Sequence, residues 1–210
     1  VWAKNYKIPF RSNLKISKNK LIAANQNNIL YFLNKSNGEM LSQIPTEETK
    51  VKNQFINNLS TNENSTFFLN TYGSLYSINN TTMKINWFLN LNQSLDNNVN
   101  NLFYSNKIVV KDKRIIVSTD PYLYILNSEN GSTISKKLIT SISRPIVTKE
   151  GLFLITKDNL LVYKDLNTFK IAFSISIDEQ IAKFLETKKK SIRIKSFSII
   201  DDKIYLFLEN

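Results

Sequence analysis

Four stretches of this chain align with one another without internal gaps, and that self-similarity constrains the fold more than any other feature. They are Phe32 to Ser42, Ser77 to Trp87, Ile125 to Ser135 and Val162 to Ala172. Their third positions, Asn34, Asn79, Asn127 and Lys164, follow at intervals of 45, 48 and 37 residues. Upstream of each lies a short apolar run: Leu21 to Ala24, Phe67 to Leu69, Ile115 to Val117 and Leu152 to Ile155. These runs are rich in β-branched or aromatic residues, too short for helices, and bounded by turn residues, so they read as strands. A polar turn then leads into a second apolar run containing Leu30-Tyr31, Leu75-Tyr76, Leu123-Tyr124 or Leu160-Leu161, the pattern of a hairpin.

Each unit gains a third strand after the next turn, where Gly38 or Gly131 supplies easy access to a positive φ. A further strand precedes each hairpin, at Asn13 to Ser17, Gln54 to Leu59, Lys107 to Val110 and Arg144 to Thr148. Four short strands per repeat of this length make one propeller blade. Helical periodicity is confined to Asp178 to Leu185. Ser191 to Ile200 and Lys203 to Leu208 read as the first two strands of a fifth unit, and Val1 to Tyr6 as the last strand of a preceding one. The expected fold is therefore all-β: a partial β-propeller of four-stranded antiparallel blades, four complete and partial ones at both ends. Because a propeller hides its terminal edges by closing, the expectation is one domain over residues 1–210, a fragment of a larger propeller.

Composition removes many functions. The chain has neither Cys nor His, which excludes disulfides, thiolate nucleophiles, the Ser-His-Asp arrangement and most transition-metal sites. Its formal charge of +11 comes almost wholly from Lys, with Arg only at Arg11, Arg114, Arg144 and Arg193. Base recognition relies on forked Arg contacts, so the charge reads as a solvated Lys-rich surface and no nucleic-acid partner is expected. Four scattered glycines cannot build a phosphate-cradling loop. The acid pairs Glu47-Glu48 and Asp201-Asp202 fall in turns and read as solvated charges; Lys188-Lys189-Lys190 reads as an exposed loop. Several Asn-x-Ser/Thr triplets, for example at Asn58, Asn64 and Asn80, read as chance matches in an Asn-rich chain.

The aligned segment resembles the tryptophan-docking motif of the PQQ-like (quinoprotein-type) propeller repeats, roughly Ala-x-Asp-x-x-Thr-Gly-x-x-x-Trp. Asn79, Thr82 and Trp87 match its third, sixth and last positions; Gly38 and Gly131 match the glycine, with Asn34 and Asn127 in place of Asp; Trp2 sits where a preceding unit's Trp would fall. Ser42, Ser135 and Ala172 depart from the motif Trp. Trp2, Asn34, Gly38, Asn79, Thr82, Trp87, Asn127 and Gly131 are thus the expected structural docking residues, with no catalytic, cofactor or metal residue assigned. The resemblance implies a parent of seven or eight blades. Of the lineages sharing the repeat, the chain is more similar to the non-enzymatic BamB-like propeller lipoproteins of bacterial outer-membrane β-barrel assembly than to the PQQ-dependent dehydrogenases. It implies a periplasmic protein-binding scaffold without cofactor, close to the outer membrane through a lipid anchor outside this chain, with barrel-assembly proteins as partners. The alternative is a dehydrogenase fragment whose cofactor ligands lie in other blades.

Overall fold

A computed structural model describes residues 1–48, 57–92, 102–188 and 192–209. It contains eighteen described strands and one described helix, arranged as four four-stranded sheets and a hairpin. The first sheet is β1 (Lys15–Ser17), β2 (Lys20–Ala24), β3 (Ile29–Asn34) and β4 (Met40–Pro45), in that spatial order. The second is β5 (Asn58–Thr61), β6 (Ser65–Leu69), β7 (Ser74–Asn79) and β8 (Ile85–Asn90). The third is β9 (Val109–Lys111), β10 (Arg114–Ser118), β11 (Tyr122–Asn127) and β12 (Thr133–Leu138). The fourth is β13 (Ile146–Val147), β14 (Gly151–Ile155), β15 (Leu160–Asp165) and β16 (Ile171–Ser176). The single helix, α1 (Ile177–Phe184), follows; β17 (Ile194–Ile200) and β18 (Lys203–Leu208) close the described chain as an antiparallel pair.

Consecutive strands are hydrogen-bonded neighbours, as short turns between alternating apolar runs require. The second and third strands carry most of the buried apolar residues: Ile22, Leu30, Phe32, Phe67, Phe68, Leu75, Ile115 and Ile125 are all fully buried, as are Leu152, Leu154 and Ile155 of β14. The outer strands β4, β8, β12 and β16 are largely exposed. By Cα proximity the chain divides into two compact units, residues 1–115 with 126–132 and residues 116–125 with 133–210.

The expected strands are present, with three differences. Val1 to Tyr6 has no strand; it is held instead through the side chains of Trp2 and Tyr6. Residues 54–56 of the expected Gln54-to-Leu59 strand, Lys189 and Lys190 of the basic run, and Ser191 lie outside the described residues. The fourth unit enters its motif one residue late. Asp165 N donates to Lys170 O (3.0 Å), matching Asn34 N to Glu39 O, Asn79 N to Lys84 O and Asn127 N to Ser132 O. A bulge falls at Phe32/Leu33, Ser77/Ile78 and Tyr163/Lys164 in the first, second and fourth sheets. Asp165, not Lys164, is therefore the equivalent of Asn34, and Phe173, not Ala172, occupies the last motif position.

Candidate functional site

The repeated turn between third and fourth strands is built by its polar residue. The side-chain oxygen of Asn34 accepts from Ser36 N, that of Asn79 from Thr81 N and Thr82 N, that of Asn127 from Glu129 N, and Asp165 Oδ1 from Asn167 N and Thr168 N, all at 2.7–2.9 Å. This is the Asx turn, in which a short side chain replaces a backbone acceptor. Gly38 and Gly131 follow at φ +69° and +76°.

Both tryptophans lie against such a turn. Trp2 Nε1 donates to Lys35 O (2.9 Å) and Trp87 Nε1 to Ser128 O (3.2 Å), the same carbonyl in the two turns. The indole faces cover the glycines so closely that a Cβ on Gly38 would sit 2.5 Å from Trp2 Cε3, and one on Gly131 2.7 Å from Trp87 Cε3. Glycine is needed there for space as well as for backbone freedom. Among the eight residues singled out from the sequence, the structure thus brings together Trp2 with Gly38 and Trp87 with Gly131, while Asn34, Asn79, Thr82 and Asn127 shape the turns themselves.

Glu47 is a residue the sequence reading misplaced. Although the residue as a whole is exposed, its carboxylate is no free loop charge: it accepts from Ser74 Oγ (2.6 Å), Tyr76 Oη (2.9 Å) and Asn70 Nδ2 (2.5 Å) on the second sheet. Partial burial pushes its pKa up, but the bonds from Ser74, Tyr76 and Asn70 outweigh burial and hold it below the usual carboxylate range. The same burial and the carboxylate push Tyr76 well above the usual phenol range. Nearby, fully buried Asn28 donates to Glu47 O (2.9 Å) and Thr71 Oγ1 (2.8 Å), so the connection leaving the first sheet is tied to turns of both sheets. The donors lie 23 to 29 residues beyond Glu47, a distance at which no local pattern reveals them. Asn58 and Asn80, which open two of the acceptor triplets, are buried and hydrogen-bonded.

Lys164 is a second unexpected group. It fills the buried position taken by Leu33, Ile78 and Leu126 in the other sheets, and its ammonium donates to Phe169 O. Burial, with Lys137 as a smaller contributor, holds its pKa below the usual lysine range.

An apolar cleft lies in the second unit. It has a volume of about 480 Å³ and is lined by Leu161, Ile175, Ile177, Ile181, Ile204 and Leu206, with Gln180 and Phe184 at its rim. α1 forms one wall. Ser176 caps it, its Oγ accepting from Glu179 N, and Asp178 and Glu179 in its first turn suit the positive end of the helix. β18 forms the other wall. It pairs only with β17 among the described strands, whereas β2, β6, β10 and β14 each pair on both sides. Its residues alternate, with Ile204 and Leu206 turned to the cleft and Tyr205 and Phe207 exposed. Phe184 is 86% exposed and Phe207 53%, an unusual outlay of aromatic surface. Among the described residues no three acidic side chains gather into a metal-sized group, and no helix is long and apolar enough to cross a membrane.

No family model and no curated protein matches the sequence. Solved structures do. The chain is similar to BamB from Moraxella catarrhalis, at 12% identity and TM-score 0.65, over 95% of this chain and 56% of that one. It is also similar to the β-propeller domain of Cps50 (Swd1) from Myceliophteria thermophila, at 8% identity and TM-score 0.66, over 95% and 62%. The computationally designed Ika8 protein matches at 10% identity and TM-score 0.64, over 92% and 54%. The fold is a partial β-propeller. The chain spans little more than half the length of these neighbours.

Proposed function

We propose that this chain is part of a non-enzymatic propeller scaffold that holds protein partners, and that the cleft beside β18 is where an extended partner segment seats. The observation that carries this reading is the aliphatic lining of the cleft between α1 and the β17–β18 hairpin, Leu161, Ile175, Ile181, Ile204 and Leu206, which suits the apolar side chains of a partner segment. The two Trp–Gly contacts support the PQQ-like assignment of the repeats, and with it one propeller domain over residues 1–210, completed by further blades in a parent of seven or eight. The family resemblance favours the periplasm of a bacterium, near the outer membrane, with components of outer-membrane β-barrel assembly as partners. Strands of membrane-spanning barrels alternate apolar and polar residues, and their apolar side chains suit the aliphatic lining of the cleft.

The test is fluorescence anisotropy with a labelled ten-residue peptide of alternating apolar and polar residues taken from a barrel strand. Saturable binding is expected, weakened about ten-fold or more by Leu206→Lys or Ile181→Lys, since one buried aliphatic contact is worth about 1.5–3 kcal/mol. Binding indifferent to both substitutions would remove this cleft as the site.

A further inference from the structure

The seams between successive sheets follow an alternation that the docking motif by itself does not contain. The last motif position reads Trp2, Ser42, Trp87, Ser135, Phe173: aromatic, small, aromatic, small, aromatic. The left-handed position of the turns reads Gly38, Met83, Gly131, Phe169, at φ +69°, +55°, +76° and +57°. Trp2 meets Gly38 and Trp87 meets Gly131. Ser42 precedes the turn carrying Met83, and Ser135 precedes the turn carrying Phe169.

The seam between the first two sheets shows what replaces the indole. Ser42 is the cross-strand neighbour of Phe32, which is opposite Ile22, so all three share one face of the first sheet. Ile22, Phe32 and Ile44 of that face join Leu59, Phe68 and Ile78 of the second sheet in a single buried cluster, and Met83 packs against it. In the next seam the corresponding row is Phe67, Ser77 and Trp87, and the indole of Trp87 reaches forward over Gly131. One large side chain thus joins the packing of each of these two seams, sent forward from the fourth strand in one case and backward from the turn in the other.

We propose that these two positions form a matched pair that determines which sheet faces can stack on one another. Two large residues collide, because even a Cβ at Gly131 lies within 3.0 Å of three indole carbons; two small ones leave a void that neighbouring side chains only partly close. The pairing makes successive faces non-interchangeable, so a sheet that binds the wrong face, in this chain or in a second copy, meets a clash or a hole. Met at a positive φ is tolerated at Met83, which shows that backbone strain alone does not exclude a side chain from the turn position.

The experiment exchanges the two chemistries in the full 210-residue chain. One set is Ser42→Trp, Met83→Gly and their double; the other is Trp87→Ser, Gly131→Met and their double. Urea midpoints are read by circular dichroism. Each single substitution is expected to lower the midpoint, and each double to recover most of the loss, a coupling on the order of ten-fold or more in the folded-to-unfolded ratio. Ser42→Trp combined with Gly131→Met, residues of different seams, is expected to be additive. Where Ser42→Trp alone fails to fold, adding Met83→Gly is expected to restore folding. Additivity within either seam, or a double that stays unfolded, overturns the proposal.

Discussion

Gly131→Ala isolates the contact on which the docking geometry depends. The new methyl enters at φ +76°, a region that costs an L-residue about 1–2 kcal/mol. It also arrives 2.7 Å from Trp87 Cε3 and 3.0 Å from Cδ2 and Cζ3, so the indole must withdraw. Withdrawal weakens the 3.2 Å bond from Trp87 Nε1 to Ser128 O, for about 1 kcal/mol, and disturbs the packing of Trp87 on Phe67, whose ring centroid lies 6.1 Å away. Together these give a loss of about 2–4 kcal/mol, or a fall of about 1–2 M in the urea midpoint for a slope near 2 kcal/mol/M. Tryptophan emission reports the same event, because Trp2 and Trp87 are the two indoles of the chain; a red shift is expected. Met83→Ala is the comparison: that site already carries a Cβ at φ +55°, so only side-chain packing is lost, about 1 kcal/mol. A Gly131→Ala protein with unchanged midpoint and emission would refute the reasoning.

Glu47→Gln keeps the shape of the side chain but places an amide donor among three donors, and is expected to cost about 1 kcal/mol by urea titration, solvent screening included. Because the folded carboxyl is held below its ordinary pKa, its contribution is fully present above about pH 4.3, the unfolded value, and is lost as pH falls through the folded one; Glu47→Gln should flatten that part of the stability–pH curve. Lys164→Leu installs the residue found at Leu33 and Leu126, and is expected to leave stability unchanged or raise it by about 1 kcal/mol, since a buried ammonium gives way to an aliphatic group. The folded chain releases the Lys164 proton earlier than the unfolded one, so stability should rise with pH between the folded value and about 10.4, and that rise should vanish in Lys164→Leu.

The sheets were legible because each blade repeats an apolar run, a polar turn and a second run within one short window, which strand periodicity displays directly. α1 was legible for the same reason: Ile177, Ile181 and Phe184 recur at helical spacing on the cleft side. Gly38 and Gly131 stood out in the sequence because they hold the same position of the aligned segment, just before a strand. The fourth unit slipped by one because an alignment without gaps weighs all positions equally, whereas the turn is fixed by one Asx side chain; Asp165 followed by Thr168 carried that signal. Glu47 and the cleft were not legible, since their partners meet only once separate strands and α1 are assembled. Val1 to Tyr6 kept its docking Trp without forming a strand, so the indole contact does not require a regular strand beneath it.

The docking geometry rests on two indoles, Trp2 and Trp87, each seated on the glycine of the repeated turn that follows it in the chain. The most direct measurement is a nuclear Overhauser experiment on protein labelled at tryptophan and glycine, where two indole N–H groups and four glycines leave few assignments to resolve. Each indole ring is expected to show contacts to the α protons of one glycine, Trp2 to Gly38 and Trp87 to Gly131. Indole rings without any glycine contact in the folded protein would contradict it.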